Sequence, residues 1–468
     1  MTDTSNDISV GSLNDLQNIN NSQRLNILRD AFQAYFKREP TFFVNVPGRV
    51  NLIGEHIDYC GYPVLPMAVE QSILLAAAPS DDRILHITNT NERYKSTECA
   101  VDAINIKVPE NAIPPEWYNY FLCGVKGIYD ELPNGKQCGM YVTVSGNIPP
   151  AAGLSSSSAL VSAATLATSF VNEFSLNKTT LADISAKCER YIGTQGGGMD
   201  QAIAFLAVEG CAQYIEWEPL TATSTNLPSN AYFVIANSLT RANKAATSDF
   251  NQRVIECRLA CRILAKSANL PWRELERFAM LQKRLKCSLA DFEAFADRIL
   301  TQDLYSRDDI IGVLEVDENE FENQLLTPNT KHLEKFKLRQ RAMHVIQEAL
   351  RVAQFREVAT KSGNVEDLGK LMRESHFSLN ELYECSHENL NRLVDISDRF
   401  GVSARLTGAG WGGCIVAICD SLESSSKYIN ELKEKYFKHS PDYDESDADN
   451  VVFVTNPQRG AAIYLNPQ

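Results

Sequence analysis

The chain has 468 residues, 44% hydrophobic and 22% charged, which is more than one core usually organises and in globular proportions. Lys and Arg number 45 against 59 Asp and Glu, and the net charge of −14 argues against a nucleic-acid groove or an anionic membrane surface as the main partner. A small anion is still allowed, because a phosphate site needs only local positive potential.

The N-terminal stretch MTDTSNDISVGSLNDLQ is polar and has no apolar core, so no signal peptide is expected and residues 1–20 read as a disordered tail. Residues 22–37 read as a capped amphipathic helix, with Leu25, Leu28, Phe32 and Phe36 near one stripe. TFFVNVPGRVNLIGE is β-rich, with a turn expected at Pro47-Gly48. Strands continue in PVLPMAVEQSILLAAAP, RILHITNT and KQCGMYVTVSGNIPP. ALVSAATLATSFVNEF and TLADISAKCERYIG read as helices, the second stopped at Gly193. CAQYIEW and NAYFVIANS are again strands, and helical patterns dominate residues 245–400. SARLTGAG and GGCIVAICD return to strand, SSKYINELKEKYF is a helix, and NVVFVT and AAIYLN are the last strands. The order predicts an α+β protein, with one domain over 21–220 and a helix-rich second domain with its own small sheet over 221–468. No apolar run is long enough to span a bilayer. Twelve cysteines show no CxxC pair and no zinc-like spacing with His, which predicts reduced, mostly buried thiols in a cytosolic protein.

The strongest local signal is GNIPPAAGLSSSSALVSAATLATSF. A strand leads into a Pro pair, then Gly153, then four serines at the start of an apolar helix. Gly153 lets the backbone turn tightly and approach a ligand. Unpaired N–H groups and the positive end of the helix dipole favour a phosphate there, and serine hydroxyls add donors and a ligand for Mg²⁺. A plain serine N-cap or a linker is the bland alternative, and an unbroken apolar helix fits a linker poorly. No GxxxxGK[ST] loop occurs. GAGWGG satisfies GxGxxG through Gly408, Gly410 and Gly413, but β-branched CIVAIC follows it. It therefore reads as a glycine turn between two strands, close to a neighbour such as the serine loop or its ligand.

PGRVNLIGEHIDY gathers Arg49, Glu55, His56 and Asp58 around a glycine turn. Such a set suits a polyol, against the alternative of a solvated turn with local ion pairs. GTQGGGMDQAIAFLA places Asp200 after three glycines and before an apolar helix, as an N-cap or as a general base at the end of a loop. Phosphoryl transfer needs such a carboxylate, a positioned hydroxyl and cations over the developing charge. Glu189, eleven residues before Asp200, could hold Mg²⁺ with a loop serine.

Taken in order, PGRVNLIGEHIDY, GNIPPAAGLSSSSAL, GGGMDQ and RLTGAGWGGCIV resemble the galactokinase family of the GHMP kinase superfamily, and within it the N-acetylgalactosamine kinase branch. The resemblance covers essentially the chain after about residue 40. It implies a two-domain GHMP kinase fold, with an N-terminal domain like ribosomal protein S5 domain 2 and a ferredoxin-like, helix-rich C-terminal domain around an active-site cleft. It implies ATP-dependent phosphorylation of the C1 hydroxyl of galactose, N-acetylgalactosamine or both, in a cytoplasmic protein that leans toward a monomer. Arg49, Glu55, His56, Asp58 and Asp200 would bind the sugar. Asp200 would be the base, with Arg49 beside it keeping the carboxylate ionised and stabilising transferred charge. Gly153, Ser155, Ser156 and Ser157 match the phosphate loop, Asn243 and Lys244 match nucleotide-side positions, and Ser157 and Glu189 match the Mg²⁺ ligands. Phe250 stands where many galactokinases carry a tyrosine that approaches the sugar. Losing that hydroxyl suits a site that also admits an acetamido group, as in the N-acetylgalactosamine branch. Two rivals from other classes are a non-catalytic galactose and ATP sensor, disfavoured by the complete GLSSSSAL loop and by Asp200, and a mevalonate- or homoserine-type kinase, which lacks GEHxDY.

Overall fold

The protein is described by a computed structural model covering residues 6–19, 22–106, 115–133, 135–240, 248–361, 363–445 and 448–466. Its strands are β1 (Ser9–Ser12), β2 (Phe42–Ile53), β3 (Leu65–Ser80), β4 (Ile84–Asn89), β5 (Thr97–Ala100), β6 (Gly139–Gly146), β7 (Cys211–Glu216), β8 (Thr221–Asn226), β9 (Tyr232–Asn237), β10 (Ser403–Thr407), β11 (Cys414–Cys419), β12 (Val452–Thr455) and β13 (Ala462–Leu465). A seven-stranded mixed sheet runs β1-β13-β2-β3-β6-β4-β5, and an antiparallel four-stranded sheet runs β10-β11-β9-β12. A two-stranded sheet pairs β7 with β8.

Helices α1 (Ser22–Phe36), α2 (Trp117–Tyr129), α3 (Ser156–Val171), α4 (Lys178–Glu189) and α5 (Met199–Leu206) accompany the first sheet. The stripe on α1 is as the periodicity predicts. Leu25, Leu28 and Phe32 are buried, and the Phe36 ring lies 5.1 Å from Tyr141 on β6. Helices α6 (Asp249–Ser267) and α7 (Leu338–Lys361) pack on each other, while α8 (Val365–Glu381), α9 (Glu388–Phe400) and α10 (Leu422–Lys435) cover the second sheet.

Three local expectations change. β2 does not turn at Pro47-Gly48 but runs through it, with a register shift against β3 between Pro47 and Arg49. The bulge accommodates a proline that has no N–H for the ladder. Residues 9–12, expected in a disordered tail, pair in parallel with β13, and Leu16 behind them is fully buried with Leu28 and Phe32. Backbone pairing at a sheet edge needs little apolar sequence, so composition did not reveal it. β13 itself lies beside β2, so the last strand of the chain belongs to the first sheet.

The two sheets meet where β2 ends. The Asn51 N–H donates to Thr407 Oγ1 at 3.0 Å, and Arg405 Nη1 donates to the Asn51 carbonyl at 3.0 Å. All twelve cysteines are free, and nine are buried. Among the described residues no helix is long and apolar enough to cross a membrane.

Candidate active site

A cavity of about 880 Å³ opens at this junction. Arg49 enters it from the bulged stretch of β2 and is 2% exposed. Its Nε and Nη2 both reach Asp200 Oδ1 at 2.8 Å, and its Nη1 donates to the Gly153 carbonyl at 2.5 Å. One guanidinium thus joins β2, the helix carrying Asp200 and the serine loop. Asp200 sits in the first turn of α5, and the N-cap is Gly198. The carboxylate therefore does not cap its own helix, and it faces the cavity.

The serine loop has three non-glycine or glycine positions in the left-handed region: Ala151 (φ 56°), Gly153 (φ 74°) and Ser155 (φ 61°). Ser155 precedes α3 without a side-chain cap, and its Oγ is buried with no hydrogen-bond partner among the described residues. A buried orphan hydroxyl beside an uncapped sixteen-residue helix fits an incoming anion. Gly153, Ser155, Ser156 and Ser157 all line the cavity. The hydroxyl that meets Glu189, however, belongs to Ser158, at 2.8 Å from Oε2, and it lies 3.4 Å from Asp200 Oδ2. Gln201 Nε2 also donates to Glu189 Oε2. In a run of four serines the motif leaves the register open. Only the helical phase, which turns Ser158 toward α4, picks the one that faces Glu189.

The glycine turn expected to approach the serine loop does so. Gly408 has φ 84°, and a Cβ there would strike the Gly153 carbonyl oxygen. The same turn holds the acidic cluster. Glu55 Oε1 accepts from the Gly408 N–H at 2.6 Å, with Arg405 Nη2 3.7 Å away. His56, at φ 62°, donates from Nε2 to the Ala409 carbonyl at 2.9 Å, and its Nδ1 meets the Tyr59 hydroxyl at 2.8 Å. Asp58 Oδ2 accepts from the Met199 N–H at 3.4 Å, next to Asp200. Glu55, His56 and Asp58 all line the cavity, so the structure brings the four residues of PGRVNLIGEHIDY and Asp200 to one place. Phe250, in the first turn of α6, closes this end with its ring 5.6 Å from His56 and 5.7 Å from Tyr59.

The other end of the cavity was not foreseen. Asn89, Asn91, Arg93, Tyr94 and Trp117 line it, with the Tyr94 and Trp117 rings 5.8 Å apart. No local motif marks these residues, because they come from separate segments, at and just after the end of β4 and at the start of α2. Asn243 and Lys244 lie outside the described residues.

Residues 30–79 match the galactokinase galactose-binding signature, residues 119–207 the N-terminal domain of GHMP kinases and residues 355–438 their C-terminal domain. The chain is 35% identical to the galactokinase of Dictyostelium discoideum over 486 aligned positions, which cover 95% of this chain and 94% of the relative. Its fold is similar to that of Lactococcus lactis galactokinase complexed with galactose, with a TM-score of 0.70 and 22% identity over 94% of this chain and 99% of the other. A mevalonate kinase follows with a TM-score of 0.55 and 20% identity over 89% of this chain and 99% of that one. A match at 35% identity over 95% of this chain, with the galactose-binding signature spanning Arg49, Glu55, His56 and Asp58 of the cavity lining, places the chain in the galactokinase family of GHMP kinases.

Proposed function

We propose that the protein transfers the γ-phosphoryl group of ATP to the C1 hydroxyl of galactose, and also of N-acetylgalactosamine. The observation that carries this reading is the pairing of Asp200 with Arg49 between the serine loop and the GEHIDY residues. Glu55, His56 and Asp58 mark the sugar end, and the start of α3 marks the phosphate end. The Asn89–Trp117 end is left for the nucleotide base.

In this mechanism Asp200 accepts the C1 hydroxyl proton as the oxygen attacks the γ-phosphorus. The bond from that phosphorus to the β–γ bridging oxygen breaks, and ADP leaves. Arg49 occupies Asp200 Oδ1 with two donors, which directs the proton to Oδ2. The same guanidinium keeps positive charge beside the transferred group. Ser155 Oγ and the first N–H groups of α3 receive phosphate oxygens. Ser158 and Glu189, 2.8 Å apart, would hold Mg²⁺ with hard oxygen atoms, and the ion would supply positive charge against the phosphates.

The acetylated sugar is included because of Phe250. At this position the ring offers an apolar edge and no hydroxyl to the cavity. A coupled ADP-release assay with galactose, N-acetylgalactosamine and glucose side by side tests the reading. Turnover on the first two but not on glucose is expected. No turnover on any of them would return the protein to a sensor role, and turnover on galactose alone would remove the acetylated substrate.

A further inference from the structure

Two side chains one helical turn apart on α7, far from the cavity in sequence, grip the backbone on both sides of one residue of the sugar loop. Glu348 is fully buried. Its Oε1 accepts from the Gly54 N–H at 2.9 Å, the Glu55 N–H at 3.3 Å and the Ser375 hydroxyl at 2.7 Å. Its Oε2 accepts from Arg351 Nε at 2.8 Å. His344, also fully buried, reaches the Glu55 carbonyl with Nε2 at 3.1 Å and the Ser378 hydroxyl with Nδ1 at 2.8 Å. Both backbone groups of Glu55 are therefore held by α7, while its side chain is held by the 408 turn.

Charge sharpens this grip. Burial alone would raise the Glu348 carboxyl, but Arg351 and Arg405 beside it hold it down at about 2, so it is a carboxylate at neutral pH. Burial lowers His344 to about 4, so the ring is neutral. Its single proton must then sit on Nε2, because that nitrogen faces a carbonyl. A charged acceptor on the Glu55 N–H and a fixed neutral donor on its C=O hold the two peptide units that flank the Glu55 α-carbon.

We propose that Glu348 and His344 are positioning residues for sugar binding: through the Glu55 backbone they set the placement of Glu55, His56 and Asp58, and they do not touch the nucleotide end. The proposal rests on the galactokinase reading of the site, and it assigns a role in sugar affinity to helix α7. It predicts a split between the two substrates that loss of general packing would not produce.

The test uses the full chain and the variants His344→Leu, His344→Gln and Glu348→Gln. Galactose affinity is measured by calorimetry, together with KM for galactose and for ATP and with kcat. His344→Leu is expected to weaken galactose binding and raise its KM by about tenfold or more, with kcat at saturating galactose and KM for ATP within about threefold. His344→Gln, whose carboxamide can still donate to the Glu55 carbonyl, is expected to restore most of that loss. Glu348→Gln should behave like His344→Leu, and if it does not fold the two His344 variants decide. Equal galactose affinity in wild type and His344→Leu, a parallel rise in both KM values, or no rescue by Gln would overturn the proposal. Wild type that binds galactose without turning it over would sink the kinase reading alone.

Discussion

Arg49 and Asp200, 151 positions apart, form a two-point ion pair in which Nε and Nη2 of the arginine both sit 2.8 Å from one carboxylate oxygen. The arginine is nearly buried and Asp200 is 15% exposed, so the carboxylate is oriented from behind while it lines the cavity. Asp200→Asn keeps the shape but cannot accept a proton. It should lower kcat by about 10² or more with only a modest change in galactose KM. Near-normal turnover in that variant would refute Asp200 as the base.

Ser158 and Ser157 separate by function if the helical phase decides which serine meets Glu189. Ser158→Ala should lower kcat and raise the Mg²⁺ concentration needed for half-maximal activity by about fivefold or more. Ser157→Ala should shift that requirement by less than about twofold. A Mg²⁺ titration of both variants checks this, and equal shifts would contradict the register read from the hydrogen bond between Ser158 and Glu189.

Phe250→Tyr adds a hydroxyl to a 6%-exposed ring that contacts His56 and Tyr59. The added group takes space and polarity at the apolar wall. Here kcat/KM for N-acetylgalactosamine should fall by about fivefold or more, and the value for galactose should change by less than about threefold. Competing-substrate assays measure the ratio, and an unchanged ratio would remove Phe250 from substrate choice.

Acid should destabilise the protein in two stages. Burial first, and Arg405 second, lowers His376 to about 4, and burial does the same to His344. An unfolded histidine titrates near 6.5, so below that pH the unfolded chain binds protons that the folded chain refuses. This stability is fully present above pH 6.5 and is lost as pH falls toward 4. At pH 5 the loss is on the order of 2 kcal/mol for each histidine. Glu348, folded at about 2 against 4.5 unfolded, adds its own loss only below about pH 4.5. Urea unfolding at pH 7 and pH 5 tests the first stage. His376→Gln should shrink the difference between the two pH values, and an unchanged difference would refute the assignment.

Much of the site was legible without coordinates. Gly153 and the serines could be read as a glycine turn at a helix start because a strand, a glycine turn and a helix start are local features, written in neighbouring residues. GEHIDY and GAGWGG were equally readable as turns, and the family likeness supplied their chemistry. Which serine faces Glu189 was not readable, since helical phase at a helix start depends on where the loop before it is anchored. Here that anchor is Arg49 on the Gly153 carbonyl.

The sequence by itself determined most of the longer strands and helices, the glycine turns, the serine loop after Gly153 and the residues of the GEHIDY turn, while the strand Thr97–Ala100 and the helix Trp117–Tyr129 were not read from it. Short-range patterns and quoted motifs carry that information. Tertiary structure alone decided that β1 and β13 join the first sheet, that Arg49 faces Asp200, that Tyr94 and Trp117 line the same cavity, and that α7 holds the backbone around Glu55. Each of these joins residues far apart in the chain. Such partners are chosen by packing and by the need to pair buried charges and backbone groups, and no local pattern records that choice.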